Sequence, residues 1–252
     1  MAISLAALPS IPDVEPGADL APLIAGAAEG RVLDGSVVVA VAHTIVSKAE
    51  GALVALSDVE PGEQARQIAA EHGKDPRVVQ VVLDESSEIL RSERGVIVSR
   101  TRHGLVCANA GVDTSNSTDA GTVVLLPRDP DRSARELRSK LGALSGAGSA
   151  PAVLITDTFG RTWRHGQTDV AIGLAGLAPL EDWRGRTDAT GLELHATWLA
   201  VADAAAAAAD LARRKDSREP VVLIEGLGRL ISAEDGPGAA ALIRPPAEDL
   251  FL

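Results

Sequence analysis

Apolar residues recur along this chain in two rhythms. Continuous runs at 36–42 (SVVVAVA), 152–155, 170–173 and 221–224 predict strands, the first of them buried on both faces. Shorter runs predict further strands at 96–99, 105–108 and 122–126. The first two of these are joined by Arg100-Thr101-Arg102-His103-Gly104 as a hairpin, whose arginines serve either solvation or a basic rim. Helical spacing appears elsewhere. Asp19 precedes Leu20, Leu23 and Ile24, a pattern that ends near Gly30. Ala65, Ile68 and Ala69 share a face of a helix over 61–72, stopped by Gly73. Asp75-Pro76 opens another as N-cap and first-turn proline, and Val79, Val82, Leu83, Ser86, Ile89 and Leu90 predict that it continues through 90. Asp129-Pro130 caps a helix with Leu137, Leu141 and Leu144 on one face. The last and longest is predicted over 193–213, with a stripe of Leu194, Trp198, Val201, Ala205 and Ala208. Between these, 11–17 is extended, 145–150 (SGAGSA) is a flexible connector, and 180–186 is a polar turn in which Trp183 packs. The tail from 233, rich in Gly and Pro, is predicted to be mobile as far as Leu250-Phe251. No internal repeat is present.

Composition narrows what this mixture of strands and helices can do. With 252 residues and 46% hydrophobic content, the chain is long enough for a substantial core. Aromatics are only 2% and tyrosine is absent, so Val, Leu, Ile and Ala must fill that core. The same scarcity argues against a base-stacking nucleic-acid platform. A net charge of -11 repels a polyanion at long range, so no nucleic-acid partner is expected. Nucleotide binding would require positive charge gathered locally. The single cysteine, Cys107, reads as a small buried hydrophobe. No signal peptide is evident, and no apolar run nears the roughly 18 residues of a membrane span, so a cytoplasmic protein is expected.

Two stretches carry chemistry. In 153–173 (VLITDTFGRTWRHGQTDVAIG) a strand ends on Thr156-Asp157-Thr158, where a carboxylate and a hydroxyl at consecutive positions can hold a hard cation. Phe159-Gly160 then turns the chain, placing Arg161, Arg164 and His165 in one loop. Anionic ligands beside cationic side chains suit a phosphate ester with its metal ion. The alternative is a solvated turn with surface arginines. The second stretch, 108–116 (ANAGVDTSN), fits turn chemistry equally well. No P-loop, dinucleotide or H-E-x-x-H pattern exists, and one cysteine excludes a Cys-type zinc site. Oxygen ligands remain, which suit Mg²⁺ or Mn²⁺.

Taken together with VSKAEG at 46–51, these stretches closely resemble the coenzyme F-420 gamma-glutamyl ligase family, from Ile11-Pro12 to the strand ending at Gly226. The resemblance implies an α/β mixed (α+β) fold of two intertwined lobes with mixed sheets, forming a single ligase domain over 1–252. No C-terminal flavin reductase-like domain is expected. It implies GTP-dependent attachment of L-glutamate to the deazaflavin precursor through an acyl phosphate, by a homodimer. Two divalent ions, Mg²⁺ or Mn²⁺, and a monovalent cation such as K⁺ are implied as well. Carried over residue by residue, Asp113, Asp157 and Thr158 would bind metal, with Asp113, Asp157 and Lys48 catalytic. Ile11, Pro12, Asp13, Val14, His43, Lys48 and Asn116 would contact the nucleotide. Arg161 and Arg164 are added to this set from their charge and their place after Asp157. Two departures stand out. Relatives commonly carry Thr-Ser-Lys where this chain has Ala42-His43-Thr44, and often arginine where Glu225 stands. The alternatives are a non-catalytic nucleotide-binding subunit and a ligase of the same mechanism acting on another carboxylate.

Overall fold

The computed structural model describes residues 2–9, 11–115, 121–214 and 218–249. The chain opens with strand β1 (Ser4–Ala7), helix α1 (Leu20–Ala27), strand β2 (Val37–Ala42) and the short helix α2 (His43–Ala49). It then leaves to build a second lobe from β3 (Leu53–Ala55), α3 (Glu63–His72), α4 (Pro76–Asp84), β4 (Ser86–Glu93), β5 (Val96–Thr101), β6 (Val106–Ala108) and β7 (Thr122–Val124). Strand β7 returns beside β3 and hands the chain back to the first lobe. There follow α5 (Pro130–Ser145), the hairpin of β8 (Ala152–Arg161) and β9 (Arg164–Ala175), and the ribbon of β10 (Glu181–Asp182) and β11 (Trp198–Leu199). Helix α6 (Val201–Ala212) and strand β12 (Val221–Glu225) complete it. The class is mixed α/β, with one lobe inserted into the other.

The first lobe is a five-stranded sheet in the order β1-β12-β2-β8-β9. Only β2 and β8 run parallel, from Val38 opposite Ala152 to Ala42 opposite Thr156. Alternate residues of the central strands face opposite ways. Val39, Val41, Val153, Ile155, Val221 and Leu223 pack under α1 and α5. Val38, Ala40, Leu154, Val222 and Ile224 pack against Ala202, Ala205, Ala206 and Ala209 of α6. A sheet covered on both sides needs apolar residues at every position, which is why these strands read as unbroken runs. The alanine face of α6 brings that helix close to the sheet. In the second lobe, α3 and α4 cover the β4-β5-β6 sheet through Ala65, Val79, Val82 and Ile97. No helix among the described residues is long and apolar enough to cross a membrane.

The helix caps fall where the sequence places them. The Asp19, Asp75 and Asp129 carboxylates accept backbone N–H bonds at the starts of α1, α4 and α5, and Gly73 ends α3 at φ 64°. Five expectations need correction. The helix predicted through 90 stops at Asp84, and Ser86–Glu93 is strand β4. Its pairing with β5 contains two register irregularities, so its apolar positions do not alternate and their spacing imitates a helix. The helix predicted from 193 starts only at Val201. Trp198 is held in the ribbon, 51% exposed, with the Arg184 guanidinium 4.2 Å over its ring. Leu144 turns out to solvent at 55% exposure, and Arg138 joins Leu137 and Leu141 on the buried face of α5. The chain does not turn at Phe159-Gly160. Strand β8 continues to Arg161, which pairs with Arg164 across a turn at Thr162-Trp163. Nor is the tail loose from 233 onward. Buried Arg138 needs acceptors and finds the Pro151 and Ser232 carbonyls and the Asp235 carboxylate, which draws the segment onto α5. Asp131 then accepts the backbone N–H groups of Ala239 and Ala240. Leu250 and Phe251 lie outside the described residues.

Candidate active site

The parallel strands β2 and β8 end side by side, and ligands of open α/β sheets collect at such carboxyl ends. A cleft of about 810 Å³ opens there. Residues 11–14 form one wall, α2 supplies His43 and Lys48, and β8 supplies Thr156, Asp157 and Thr158. The second lobe contributes Asp113 and Ser115. Lys48, Arg213, Arg214 and Arg218 bring positive charge to the cleft of an otherwise acidic protein, and Asp113, Asp157, Asp169 and Asp210 line the same space.

Asp113 reaches the cleft from an unusual backbone. Asn109, Ala110 and Gly111 are consecutive left-handed residues, at φ 52°, 53° and 70°. Glycine is required at the third, because a Cβ there would lie 2.7 Å from the Leu126 side chain. The Asp113 main chain then bridges to Val124, and its Oδ1 accepts from the Ser115 N–H and hydroxyl, both at 2.7 Å. That is turn chemistry, as the composition suggested, but its carboxylate lines the cleft.

On β8, alternation sends Thr156 and Thr158 to one face and Asp157 to the other. Asp157 Oδ1 accepts the Thr158 N–H at 2.7 Å and lies 3.3 Å from Nε2 of His43. The His43 ring is buried, with its Nδ1 3.3 Å from the Ser47 hydroxyl. Thr158 lies opposite Asp169 of β9. Asp169, 3% exposed, accepts from the Thr156 hydroxyl at 2.8 Å and the Thr158 hydroxyl at 2.7 Å, and pairs with Arg213 Nη1 at 2.9 Å. Arg213 stands at the C-terminal end of α6. Burial pulls its guanidinium below the usual arginine range, while the charges of Asp169 and Asp210 oppose that. Its Nε and Nη2 are buried without a hydrogen-bond partner among the described residues.

The cleft thus gathers the expected residues Ile11, Pro12, Asp13, Val14, His43, Lys48, Asp113, Asp157 and Thr158. It does not gather Arg161 or Arg164. Both are exposed at the end of the β8–β9 hairpin, where Arg161 donates to the His165 carbonyl. Asn116 lies outside the described residues. Sequence reasoning named Thr156 only as part of the strand end beside Asp157, and missed Asp169 and Arg213. Counting back from the turn puts Thr158 opposite Gln167. A register shift beside the turn, where Gly166 stands at φ 88°, moves it to Asp169. Cys107 is no nucleophile, because burial and then the nearby Asp157 charge push its thiol up to about 12.

Among the described residues, no three His, Cys, Asp or Glu side chains cluster as a metal cage. The expected donors in the cleft, the Asp113 and Asp157 carboxylates and the Thr158 hydroxyl, are hard oxygens of the kind Mg²⁺ and Mn²⁺ take.

The family model described as F420-0:Gamma-glutamyl ligase matches residues 9–226, a span that holds all of the cleft residues named here. A Coenzyme F420:L-glutamate ligase of Methanopyrus kandleri is 48% identical over 240 residues, covering 94% of this chain and 93% of that protein. One from Methanothermobacter thermautotrophicus is 46% identical over 257 residues, covering 100% of this chain and 99% of that protein. One from Methanocaldococcus jannaschii is 39% identical over 225 residues, covering 89% and 87%. Matched nearly end to end, with every element of the cleft inside the match, the chain belongs to the F420-0:gamma-glutamyl ligase family.

Proposed function

We propose that this protein is a ligase that joins L-glutamate to a carboxylate of a coenzyme F420 precursor, driven by GTP. The observation that carries the reading is the single cleft that draws Asp113 from one lobe and Asp157, Thr158 and Lys48 from the other, in a chain of the ligase family. A free carboxylate and an amine do not condense near pH 7, because the leaving group would be oxide. The precursor carboxylate therefore attacks the γ-phosphorus of GTP, the bond to the bridging oxygen breaks, and GDP leaves with that electron pair. The glutamate amine then attacks the acyl phosphate, phosphate leaves, and the nitrogen loses a proton to give the amide.

Little of this chemistry is covalent for the protein, so its work is positioning and charge neutralisation. Lys48 and Arg213 bring fixed positive charge to the wall where phosphate charge develops. Residues 11–14 form a wall for the nucleotide. Asp113, Asp157 and Thr158 would hold Mg²⁺ or Mn²⁺, which when bound supplies further neutralisation of the phosphates. A homodimer is part of the same proposal, and rests on family membership.

Incubating the protein with precursor, L-glutamate, GTP and Mn²⁺ tests this directly. Mass spectrometry should show a glutamyl adduct, and GDP should form only when precursor and metal are both present. Equally fast GTP hydrolysis by the protein alone would replace the ligase with a hydrolase, and an inert mixture would leave a nucleotide-binding subunit.

A further inference from the structure

We propose that Asp169 is a positioning residue that fixes Thr158 as a hydrogen-bond acceptor in the cleft. The inference rests on the ligase reading of the site and adds a residue to it. Asp169 is almost fully buried, and burying a carboxylate is costly unless it is paired. Apolar residues in place of Asp169 and Arg213 together would serve stability alone as well or better. Its oxygens are already engaged: Oδ1 with Thr158, Oδ2 with Thr156 and Arg213. It acts on a ligand through those neighbours.

The consequence follows from counting protons. Asp169 accepts from both threonine hydroxyls and from the Arg213 guanidinium 2.9 Å away. A hydroxyl has one proton, so Thr158 Oγ1 can meet any further group only as an acceptor. In the cleft, an oxygen so committed attracts a cation or an N–H group and repels a phosphate oxygen. Thr156 shows the same polarity, accepting from Arg213 Nη1 at 3.0 Å while donating to Asp169. Replacing Asp169 by asparagine would put an amide donor beside Thr158 and free the hydroxyl proton to turn, which reverses the polarity.

The test is Mn²⁺ affinity by electron paramagnetic resonance, without nucleotide or turnover, on wild type, Thr158→Val, Asp169→Asn and the double variant. We expect Asp169→Asn to weaken Mn²⁺ binding about 10-fold or more, the scale for partners that orient metal ligands. We expect the double variant to be no weaker than Thr158→Val, since both changes remove one interaction. Wild-type affinity in Asp169→Asn beside weak binding in Thr158→Val would overturn the inference and leave the ligase reading standing. Fully additive losses would overturn it too, because Asp169 would then act independently of Thr158. Wild-type protein that binds no Mn²⁺ would overturn the metal assignment, and this inference with it. If Asp169→Asn does not fold, Asp169→Asn with Arg213→Met removes the stranded buried cation and permits the same comparison.

Discussion

Asp113 and Asp157 reach one cleft by different routes, and each route explains what a single change should do. Asp113 closes a turn through Ser115, and an asparagine oxygen would accept the same two bonds. Asp157 accepts from the Thr158 N–H and faces His43, so Asn preserves its shape as well. Asp113→Asn and Asp157→Asn should therefore fold normally by circular dichroism. Each should lower glutamate-dependent GDP release by at least ~10²-fold, the scale of a lost electrostatic contact in an active site. Their combined loss should fall well short of the product, as for residues that act as one unit. Near-normal turnover in either variant would return these loops to the status of ordinary turns. At this scale the sequence showed the donors and concealed their partners. Asp169 precedes an apolar run and looks like any charged strand edge, and His43 gives no sign that its ring lies against Asp157.

Among the elements, α5 approaches the β8–β9 hairpin most closely at Gly173. That glycine sits opposite Ile155 and next to the irregularity that brings Thr156 opposite Ala171. A Cβ on Gly173 would lie 2.4 Å from the Pro130 carbonyl oxygen, which is backbone and cannot swing aside. Gly173→Ala should lower stability by about 1–3 kcal/mol, as overpacking does, read from the urea midpoint at unchanged slope. An unshifted midpoint would mean that α5 does not pack so closely. Element types were legible wherever one rhythm ruled: the doubly covered strands β2, β8 and β12 as unbroken apolar runs, and α1, α4 and α5 by their aspartate caps. They were illegible where two signals collided. Leu90 continues a helical spacing in a segment whose hydrogen bonds go to β5, and Trp198 fits the α6 stripe yet stacks under Arg184. Tertiary contacts outweigh a propensity that amounts to only a few tenths of a kcal/mol per residue.

The whole molecule is two lobes sharing one cleft, to which the second lobe brings Asp113 and Ser115 and the first lobe the positive charges. A ligand that needs Asp113 and Asp157 together binds only the assembled fold, so binding should raise thermal stability. At a hundredfold excess over its dissociation constant the gain is about 2.7 kcal/mol. GTP with Mn²⁺ should therefore raise the melting temperature more than either alone, and excess chelator should abolish the synergy. Equal shifts with GTP in the presence and absence of metal would show that the carboxylates do not take part.

The sequence by itself determined the local chemistry and the family. Capping, burial on both faces and turn composition are written within a few residues of one another, and the long motifs around Asp113 and Asp157 identify the ligase. Only the tertiary structure decided which side chains meet. Register shifts in β9, the left-handed run before Asp113 and the arrival of Arg213 from the end of α6 join residues far apart in the chain, Arg213 meeting Thr156 from 57 positions away. Such contacts are fixed by packing and by the need of each buried charge for a partner, and neither leaves a periodic trace in the chain.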